Sequence, residues 1–241
     1  MGRSLVFYLV QAPLAALLTV GYAAAACVAA LADRSGRATR EVGGAWSRAL
    51  LRLFRVGVRV SGLQHAPSGP AIYASNHASA LDILILLGHL PADFRFIYKS
   101  SLTRVPLVGW AIRLGGHIPI DRTNPFRARR SLDAGAQRIR GGTSVVVFPE
   151  GTRSPDGTIR LFKRGSFGLA IAAGVPIVPV SLVGVKDLVP HGLPSLRPGT
   201  VAVALHPPVP VGGRSPDDAE ALAEEVRKIV AAGCEPEGSR P

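Results

Sequence analysis

The spacing of hydrophobic positions changes near residue 58, and this change divides the chain into two parts. Before it, residues 5–32 form an uncharged run rich in Leu, Val and Ala, and residues 41–60 place basic and apolar side chains at helical spacing. After it, short apolar runs alternate with longer runs of helical period. The second pattern is typical of a sheet that is covered by helices.

The second part of the chain predicts seven strands and five helices. The strands are predicted over 58–62, 71–74, 94–98, 117–120, 144–148, 177–182 and 201–206. The helices are predicted over 81–90, 107–114, 126–139, 164–173 and 216–231. Strands that alternate with helices predict an α/β fold with a mixed, largely parallel sheet of about seven strands covered by helices.

These patterns predict three regions along the chain. Residues 1–60 form an N-terminal two-helix membrane-binding segment, residues 61–233 form the α/β domain, and residues 234–241 form a disordered tail. Chain ends that carry few apolar residues are commonly frayed in this way.

Three interpretations compete for residues 5–32, which exceed the ~20 residues that cross a bilayer core. A signal peptide would explain the Ala-x-Ala sites, but its apolar region would be too long and Arg3 is a thin basic start. A buried soluble helix rarely runs this far without a polar face. A membrane anchor, spanning or re-entrant, is favoured. If it spans, Arg34, Arg37 and Arg40 place the following chain in the cytoplasm.

A basic stripe follows the apolar run. Arginines recur at i, i+4, i+7 and i+11, at Arg48, Arg52, Arg55 and Arg59, beside an apolar stripe that includes Trp46. On one helix this pattern is amphipathic and suits the surface of an anionic membrane, where each Lys or Arg contributes about 1 kcal/mol. The alternative is an ordinary helix with a solvated charged face.

Composition narrows the class of partner. The chain has 241 residues, a formal net charge of +12 and a pI near 10.9, which implies an anionic partner. Residues 1–60 hold eight arginines against Asp33 and Glu41, so half of the excess charge lies there. Aromatic residues make up only 6%, whereas nucleic-acid binders interleave basic and stacking side chains. Anionic membrane lipids are therefore the expected partner, and nucleic acid is not expected.

The two cysteines do not predict a disulfide. Cys27 lies in the apolar run and Cys234 lies near the C-terminus, and neither has a neighbouring base in sequence that would make it a nucleophile. This pattern fits a reducing compartment.

The first candidate for chemistry is the turn at 76–82, between a short apolar strand and an apolar helix. His77 precedes the predicted helix, so its ring can fold back toward Asp82 in the first helical turn. Asp82 would then accept a hydrogen bond from one ring nitrogen and leave the other as a general base. The alternative is structural, because Ser79-x-x-Asp82 resembles a capping box.

A second candidate is the loop after the strand at 144–148. It contains Glu150, Gly151, Thr152 and Arg153. A glycine lets the backbone approach a ligand, and the hydroxyl and guanidinium groups are donors that suit a phosphate. Open sheets bind ligands at this end of their strands. The alternative is a turn with a solvated arginine.

Two further segments are weaker signals. Arg122 follows the strand at 117–120 and is a possible anion clamp, and the prolines in 175–180 suggest an edge strand or a pocket wall. The chain has no Gly-x-Ser-x-Gly elbow, and its histidines show no metal-ligand spacing. A base and anion clamps without a protein nucleophile suit a substrate that brings its own nucleophile, such as a hydroxyl.

Taken in order, these motifs resemble those of the glycerolipid acyltransferase family, in its bacterial 1-acylglycerol-3-phosphate acyltransferase branch. Asn76-His77-x-Ser79-x-x-Asp82 is similar to the family's His-x4-Asp motif, and the segments 116–122, 148–154 and 175–180 are similar to its second, third and fourth motifs. Segments around Lys99 and 162–165 also resemble family sequence. One departure is Pro119, where the second motif usually has an aromatic residue.

The resemblance implies a function and roles for these residues. His77, oriented by Asp82, would deprotonate the sn-2 hydroxyl of 1-acylglycerol-3-phosphate (lysophosphatidic acid). That oxygen would attack the acyl thioester of acyl-CoA or acyl-carrier protein directly and give phosphatidic acid. The acceptor's glycerol phosphate would be held by Arg122, Glu150, Gly151, Thr152 and Arg153, and Lys99 would assist at the phosphate or the oxyanion.

The resemblance also predicts which cofactors the reaction needs and where in the cell it takes place. No bound cofactor or metal is expected, and the expected location is the inner (plasma) membrane with the catalytic domain on the cytoplasmic side. The alternatives are an acyltransferase for another lysophospholipid or glycolipid, and a lipid hydrolase in which His77 activates water.

Overall fold

The N-terminal region is a helical hairpin. The computed structural model describes residues 5–105, 108–120, 135–154, 156–189 and 196–235, without the side chains of residues 99, 108 and 120. A π-helical turn, Phe7–Gln11, leads into α1 (Ala12–Ala32), and α2 (Arg37–Leu53) runs back along it.

Polar side chains of α1 mark its packing face on α2. Gln11 Nε2 donates to Leu53 O at one end, Trp46 Nε1 donates to Thr19 Oγ1 in the middle, and Thr39 Oγ1 donates to Ala26 O at the other. The two helices are therefore antiparallel and in contact along their lengths. Because α1 offers its few polar groups to α2, its opposite face is left almost wholly apolar.

The exposed face of the π-helical turn and α1 carries large apolar side chains, among them Leu9, Leu17, Val28 and Leu31. Within the described ranges one helix, Phe7–Ala32, is long and apolar enough to cross a membrane; its mean hydropathy is 2.1 and only 11% of its most apolar window is buried. An apolar surface of this extent is not left in water by soluble proteins. The hairpin therefore associates with a membrane.

A seven-stranded sheet forms the centre of the rest of the chain. Its strands are β1 (Val56–Ser61), β2 (Ile72–Ser75), β3 (Phe94–Lys99), β4 (Ile118–Ile120), β5 (Ser144–Val147), β6 (Ile177–Val183) and β7 (Gly199–Leu205). Their order is β1-β7-β6-β2-β5-β3-β4. Every neighbouring pair is parallel except β6 with β7. The predicted mixed, largely parallel sheet covered by helices is confirmed.

Helices cover both faces of this sheet. They are α3 (Leu81–His89), α4 (Val108–Leu114), α5 (Gly165–Ala173), α6 (Val185–Leu188) and α7 (Ala219–Cys234), with 3₁₀ turns at Leu63–His65, Ser100–Arg104 and Pro216–Asp218. Residues 135–140 are also helical, and residues 126–134 of the helix predicted over 126–139 lie outside the described residues.

The central strands are buried on both faces, which explains their unbroken apolar sequences. Tyr73 and Val146 point to the face that α2 and α3 cover, whereas their neighbours Ile72, Val145 and Val147 point to the face that α5 and α7 cover. Two cores therefore lie on opposite sides of one sheet, and each strand supplies alternate residues to both.

A crevice forms where the connections after β2 and β5 diverge. These two strands are parallel neighbours, with Ala74 opposite Val147, so both end at the same edge of the sheet. The chain after β2 enters α3 on one face, and the chain after β5 enters α5 on the other. Ligands of open α/β sheets bind in the crevice at such a point.

The predicted helical stripe of four arginines is wrong. Helix α2 ends at Leu53, and Arg55 adopts a left-handed backbone conformation with φ of 58°. Strand β1 then begins at Val56, so Arg59 lies on a strand and only Arg48 and Arg52 share a helix. The cause is pairing of β1 with β7, which the Gly199 N–H to Arg55 O bond begins. The sheet thus begins at Val56, within the range 1–60 predicted to form the N-terminal segment.

The prolines of the 175–180 segment do not place it at an edge. Strand β6 is interior and pairs with both β2 and β7. The ladder with β7 begins only at Val180, after Pro179, so the missing proline N–H costs no ladder bond there. Pro179 instead accepts a hydrogen bond from His206 N.

Candidate active site

His77 and Asp82 are in contact at the carboxyl end of β2. His77 Nδ1 lies 2.8 Å from Asp82 Oδ2, and Asp82 is fully buried while the His77 side chain is 13% exposed. Because a carboxylate only accepts hydrogen bonds, Nδ1 carries the proton that is donated to Asp82. The other nitrogen, Nε2, is therefore left with a free lone pair, as a general base requires.

Asp82 also binds the turn that precedes the helix. Its Oδ2 accepts hydrogen bonds from the backbone N–H groups of Ala78 and Ser79, and Ser79 Oγ accepts one from Leu81 N. Five residues separate His77 from Asp82, and the two side chains meet because His77 lies in this turn and not on α3. The same carboxylate oxygen thus orders the turn and orients the histidine.

The loop after β5 holds His77 from the other side of the crevice. The Phe148 ring stacks on the His77 ring, with centroids 4.0 Å apart and planes 17° apart. His77 N donates to Glu150 Oε1 at 2.7 Å, and His77 O accepts from Ser154 N at 2.8 Å. Ring and main chain are therefore both fixed before any ligand binds.

His77 lines a cavity of about 910 Å³ that runs from the crevice to the N-terminal hairpin. Its walls are mostly apolar and come from α1, α2 and α3 as well as the sheet, with Ala23, Trp46, Ile83 and Phe96 among them. A cavity of this volume is in the upper part of the range for small-molecule sites. Its shape and lining suit a long apolar chain that enters beside His77.

Two cations lie at the polar end of the cavity. Arg153 and Lys163 both line it, and neither makes an ion pair within the part of the chain that the structure describes. Gly151 has a φ of 76°, and a Cβ there would come within 2.8 Å of Lys163 Nζ. The glycine thus gives the loop its turn and leaves room for the lysine. Gly165 and Ser166, at the start of α5, also line the cavity.

Buried polar groups stand in the cavity wall farther along. His117 Nδ1 accepts from Phe96 N, and burial, with a smaller effect of the Arg95 charge, lowers the pKa of His117 to about 4. The His117 ring is therefore neutral at physiological pH. Arg40 donates to Leu90 O and lies over the Phe94 ring at 5.0 Å, and desolvation lowers the pKa of its guanidinium.

The structure brings together some of the predicted site residues but not all. His77, Gly151, Thr152 and Arg153 line one cavity, with Asp82 behind His77. Glu150 is buried and does not line it. Arg122 lies outside the described residues, and the same is true of the side chain of Lys99.

Sequence reasoning gave no role in the active site to three residues that line the cavity, namely Lys163, His117 and Arg40. Lys163 could have been found, because Lys163 and Arg164 directly precede an apolar helix. In the described ranges, no group of three or more His, Cys, Asp or Glu side chains could hold a metal ion.

Comparison with known proteins agrees with this architecture. The family model described as Acyltransferase matches residues 57–183. A 1-acyl-sn-glycerol-3-phosphate acyltransferase of Chlamydomonas reinhardtii is 38% identical over 172 residues, which are 71% of this chain and 50% of the relative. The human 1-acyl-sn-glycerol-3-phosphate acyltransferase alpha is 39% identical over 177 residues, which are 73% of this chain and 62% of the relative.

A solved structure matches over nearly the whole chain. The crystal structure of the 1-acyl-sn-glycerophosphate (LPA) acyltransferase PlsC from Thermotoga maritima superposes with a TM-score of 0.84 at 30% identity, covering 99% of this chain and 98% of that one. The match covers the N-terminal hairpin as well as the α/β domain, so the fold of the whole chain is shared. The chain belongs to the acyltransferase family. It spans about half the length of the first curated relatives that it matches.

Proposed function

We propose that this protein transfers a fatty acyl group from an acyl thioester, acyl-CoA or acyl-carrier protein, to the sn-2 hydroxyl of 1-acylglycerol-3-phosphate, giving phosphatidic acid. The observation that carries the proposal is the His77–Asp82 pair opening on an apolar cavity with cations at its polar end. The relatives described above are 1-acyl-sn-glycerol-3-phosphate acyltransferases, which supports the same acceptor.

The proposed mechanism needs no covalent enzyme intermediate. His77 Nε2 takes the proton of the acceptor hydroxyl as its oxygen attacks the thioester carbonyl carbon. The C–S bond of the resulting tetrahedral adduct breaks, and the leaving thiolate takes the proton from the His77 imidazolium. Asp82 stabilises that imidazolium through Nδ1. General base catalysis typically contributes 10²–10⁴-fold, and holding two reactants together contributes more.

The cations at the polar end of the cavity suit the phosphate of the acceptor. Arg153 and Lys163 supply charge, and the start of α5 adds backbone N–H groups of the kind that bind phosphate at helix N-termini. Arg122 and Lys99 remain part of the proposal on the resemblance of their motifs. The substrate supplies the nucleophile and the thioester supplies the activated acyl group, so no bound cofactor is proposed.

The N-terminal hairpin suits uptake of an amphipathic substrate from a bilayer. Helix α1 contacts α2 along its length, and α2 packs on α3 through a hydrogen bond between Ser47 Oγ and Leu84 O and through Gly43 against Leu87. We therefore propose that α1 is embedded in one leaflet rather than crossing the bilayer. The basic residues around the hairpin support the cytoplasmic face of the inner membrane and contact with anionic lipids.

The test is acyl transfer by the purified protein in detergent or vesicles. The wild-type protein is expected to form phosphatidic acid from 1-acylglycerol-3-phosphate with acyl-CoA, acyl-carrier protein, or both. His77→Ala should lower the rate by at least about 10²-fold because the base is lost. Its thermal unfolding midpoint should stay close to that of the wild type.

Two outcomes would contradict the proposal. One is transfer that persists at the wild-type rate in His77→Ala. The other is release of free fatty acid at the same rate with and without the lysolipid, which is the behaviour of a hydrolase. A panel of other lysophospholipids and glycolipids, run beside the phosphorylated acceptor, identifies the true acceptor.

A further inference from the structure

The side chain of Glu150, in the loop after β5, turns away from the cavity. Its neighbours Phe148, Pro149, Gly151, Thr152 and Arg153 line the cavity, and Glu150 does not. The residue is 3% exposed. A substrate in the cavity therefore meets the loop on either side of this carboxylate but not the carboxylate itself.

Both oxygens of Glu150 are already occupied by backbone donors. Oε1 accepts from His77 N at 2.7 Å, and Oε2 accepts from Arg160 N at 3.1 Å. These two N–H groups belong to different connections, one after β2 and one after β5, so the carboxylate joins the two sides of the crevice. A carboxylate only accepts hydrogen bonds, as does a phosphate at neutral pH, so Glu150 has no bond to offer a phosphate.

The contacts made by Glu150 complete the support of His77. Asp82 fixes the ring through Nδ1, Phe148 fixes the ring plane by stacking, and Ser154 N binds His77 O. The His77 N–H is the remaining backbone group of this residue, and Glu150 binds it. Without that bond the peptide that carries the ring would be held at its carbonyl side only.

Burying this carboxylate is costly, and the two N–H bonds offset the cost. Burial raises the pKa of Glu150, while the His77 and Arg160 N–H groups act in the opposite direction. Hydrogen bonds to a charged group are stronger than those between neutral groups, so two of them compensate for much of the desolvation. A glutamine at this position offers one acceptor and one donor, and so leaves one N–H facing another N–H.

We propose that Glu150 is a positioning residue, which fixes the backbone of His77 for proton transfer and does not bind the acceptor. This inference rests on the proposed function for its kinetic readout. Loss of the bond shifts the His77 ring relative to the acceptor hydroxyl while leaving the cations of the cavity in place. Misplacement of a catalytic group by about 1 Å lowers a rate on the order of 10²-fold.

The test compares two pairs of variants of the full chain. Glu150→Gln removes one acceptor, and its control Asp156→Asn removes an exposed carboxylate that bonds only within the same loop, to Ser154 and Thr158. Arg160→Pro removes the N–H that binds Oε2, and its control Arg160→Ala keeps that N–H while losing the same guanidinium. Arg160 does not line the cavity.

The expected kinetic result is a separation of kcat from KM. Glu150→Gln and Arg160→Pro should lower kcat by at least about 10-fold, with KM for the acceptor changed less than about two-fold, because only placement in the transition state is lost. The two controls should behave like the wild type. A raised KM for the acceptor with unchanged kcat in Glu150→Gln would show a substrate ligand and overturn the inference.

A second readout does not depend on acyl transfer. Hydrogen exchange of the His77 amide, followed by NMR with ¹⁵N-histidine, should be at least about 10-fold faster in Glu150→Gln than in Asp156→Asn, because the amide loses its acceptor. Equal exchange in the two variants would contradict the positioning role even if the wild-type protein transferred no acyl group. Absence of transfer by the wild type, with the exchange difference present, would contradict the proposed function alone.

Discussion

At the scale of single residues, the crevice has a positively charged end and a mostly apolar interior, whose wall also holds the Arg40 guanidinium. Arg153 and Lys163 stand at the first, and the neutral His117 stands in the wall of the second. An anionic headgroup and an apolar chain therefore meet different electrostatic surroundings within one cavity. For each end of the cavity we make one prediction that concerns a single side chain.

Arg153→Ala should raise KM for the phosphorylated acceptor by about 10-fold, because charge-assisted hydrogen bonds to phosphate typically contribute about 1.5–3 kcal/mol. The phosphate is held in the ground state and in the transition state alike, so kcat should change little. The measurement is steady-state kinetics, with Arg164→Ala as the control, since Arg164 is an exposed neighbour that does not line the cavity. Equal effects of the two changes would remove Arg153 from the phosphate site.

The lowered pKa of His117 predicts that the folded protein loses stability on acidification. The pKa of His117 in the folded protein is about 4, below the ordinary 6.5. The contribution of the neutral ring to the free energy of unfolding is therefore complete above pH 6.5 and is lost as pH falls toward 4. Between about pH 7.5 and pH 5 the loss is about 2 kcal/mol. His117→Asn keeps an acceptor for Phe96 N and cannot titrate.

Unfolding by denaturant at the two pH values measures this difference. The wild-type protein should lose about 2 kcal/mol more than His117→Asn over that interval. Identical losses would mean that the His117 ring is solvated and titrates normally.

Sequence alone predicted the contact between His77 and Asp82 but not the contacts of Glu150. The pair lies within one turn, so local spacing was enough to judge whether the two side chains could meet. The contacts of Glu150 join positions 73 residues apart, and nothing near Glu150 in sequence indicates them. A polar residue in a ligand-binding loop therefore looked like a ligand group, although its side chain faces the protein.

At the scale of elements, the junction between α2 and β1 shows how long-range pairing overrides local pattern. The arginine spacing continues with helical period past Leu53, yet the chain turns into a strand that pairs with β7. The seven strands were predictable because most of them are short apolar runs between turn residues. The end of α2 was not, because it depends on a partner strand that begins at Gly199.

Arg55→Gly should stabilise the protein by up to about 1 kcal/mol, because glycine adopts a positive φ without the steric cost that other residues bear. Its φ is 58°. The control is Arg52→Gly inside α2, which should destabilise by about 0.5–1 kcal/mol. If both arginines lay on one continuous helix, both substitutions would be destabilising. The sign of the Arg55→Gly effect on the thermal unfolding midpoint therefore shows whether α2 ends before Arg55.

At the scale of the whole molecule, the hairpin and the α/β domain have different surfaces. The exposed face of α1 is apolar over its length, whereas the domain carries scattered exposed apolar residues such as Leu63 and Leu161. The cavity joins the two parts, since its walls come from both. A membrane-embedded α1 would therefore bring the apolar part of the cavity next to the lipid that supplies the acceptor.

Replacing Leu9 and Val28 together with Glu should weaken vesicle binding by at least about 10-fold, because each large apolar side chain contributes about 1.5–3 kcal/mol when it leaves water. The two side chains are 68% and 66% exposed, so unfolding in detergent should change little. Leu63→Glu is the control on the α/β domain and should bind as the wild type does. Flotation with vesicles of neutral and anionic lipid measures the binding.

The pairing of β1 with β7 has a consequence for synthesis of the protein. Val56 pairs with Gly199, so the first strand of the sheet receives its neighbour only after most of the chain has left the ribosome. The apolar hairpin emerges much earlier and is free to reach a bilayer while the rest is still being made. Contacts so distant in sequence form slowly. The hairpin is thus available to a lipid surface before the sheet can close, so attachment to a membrane does not have to wait for the domain to fold.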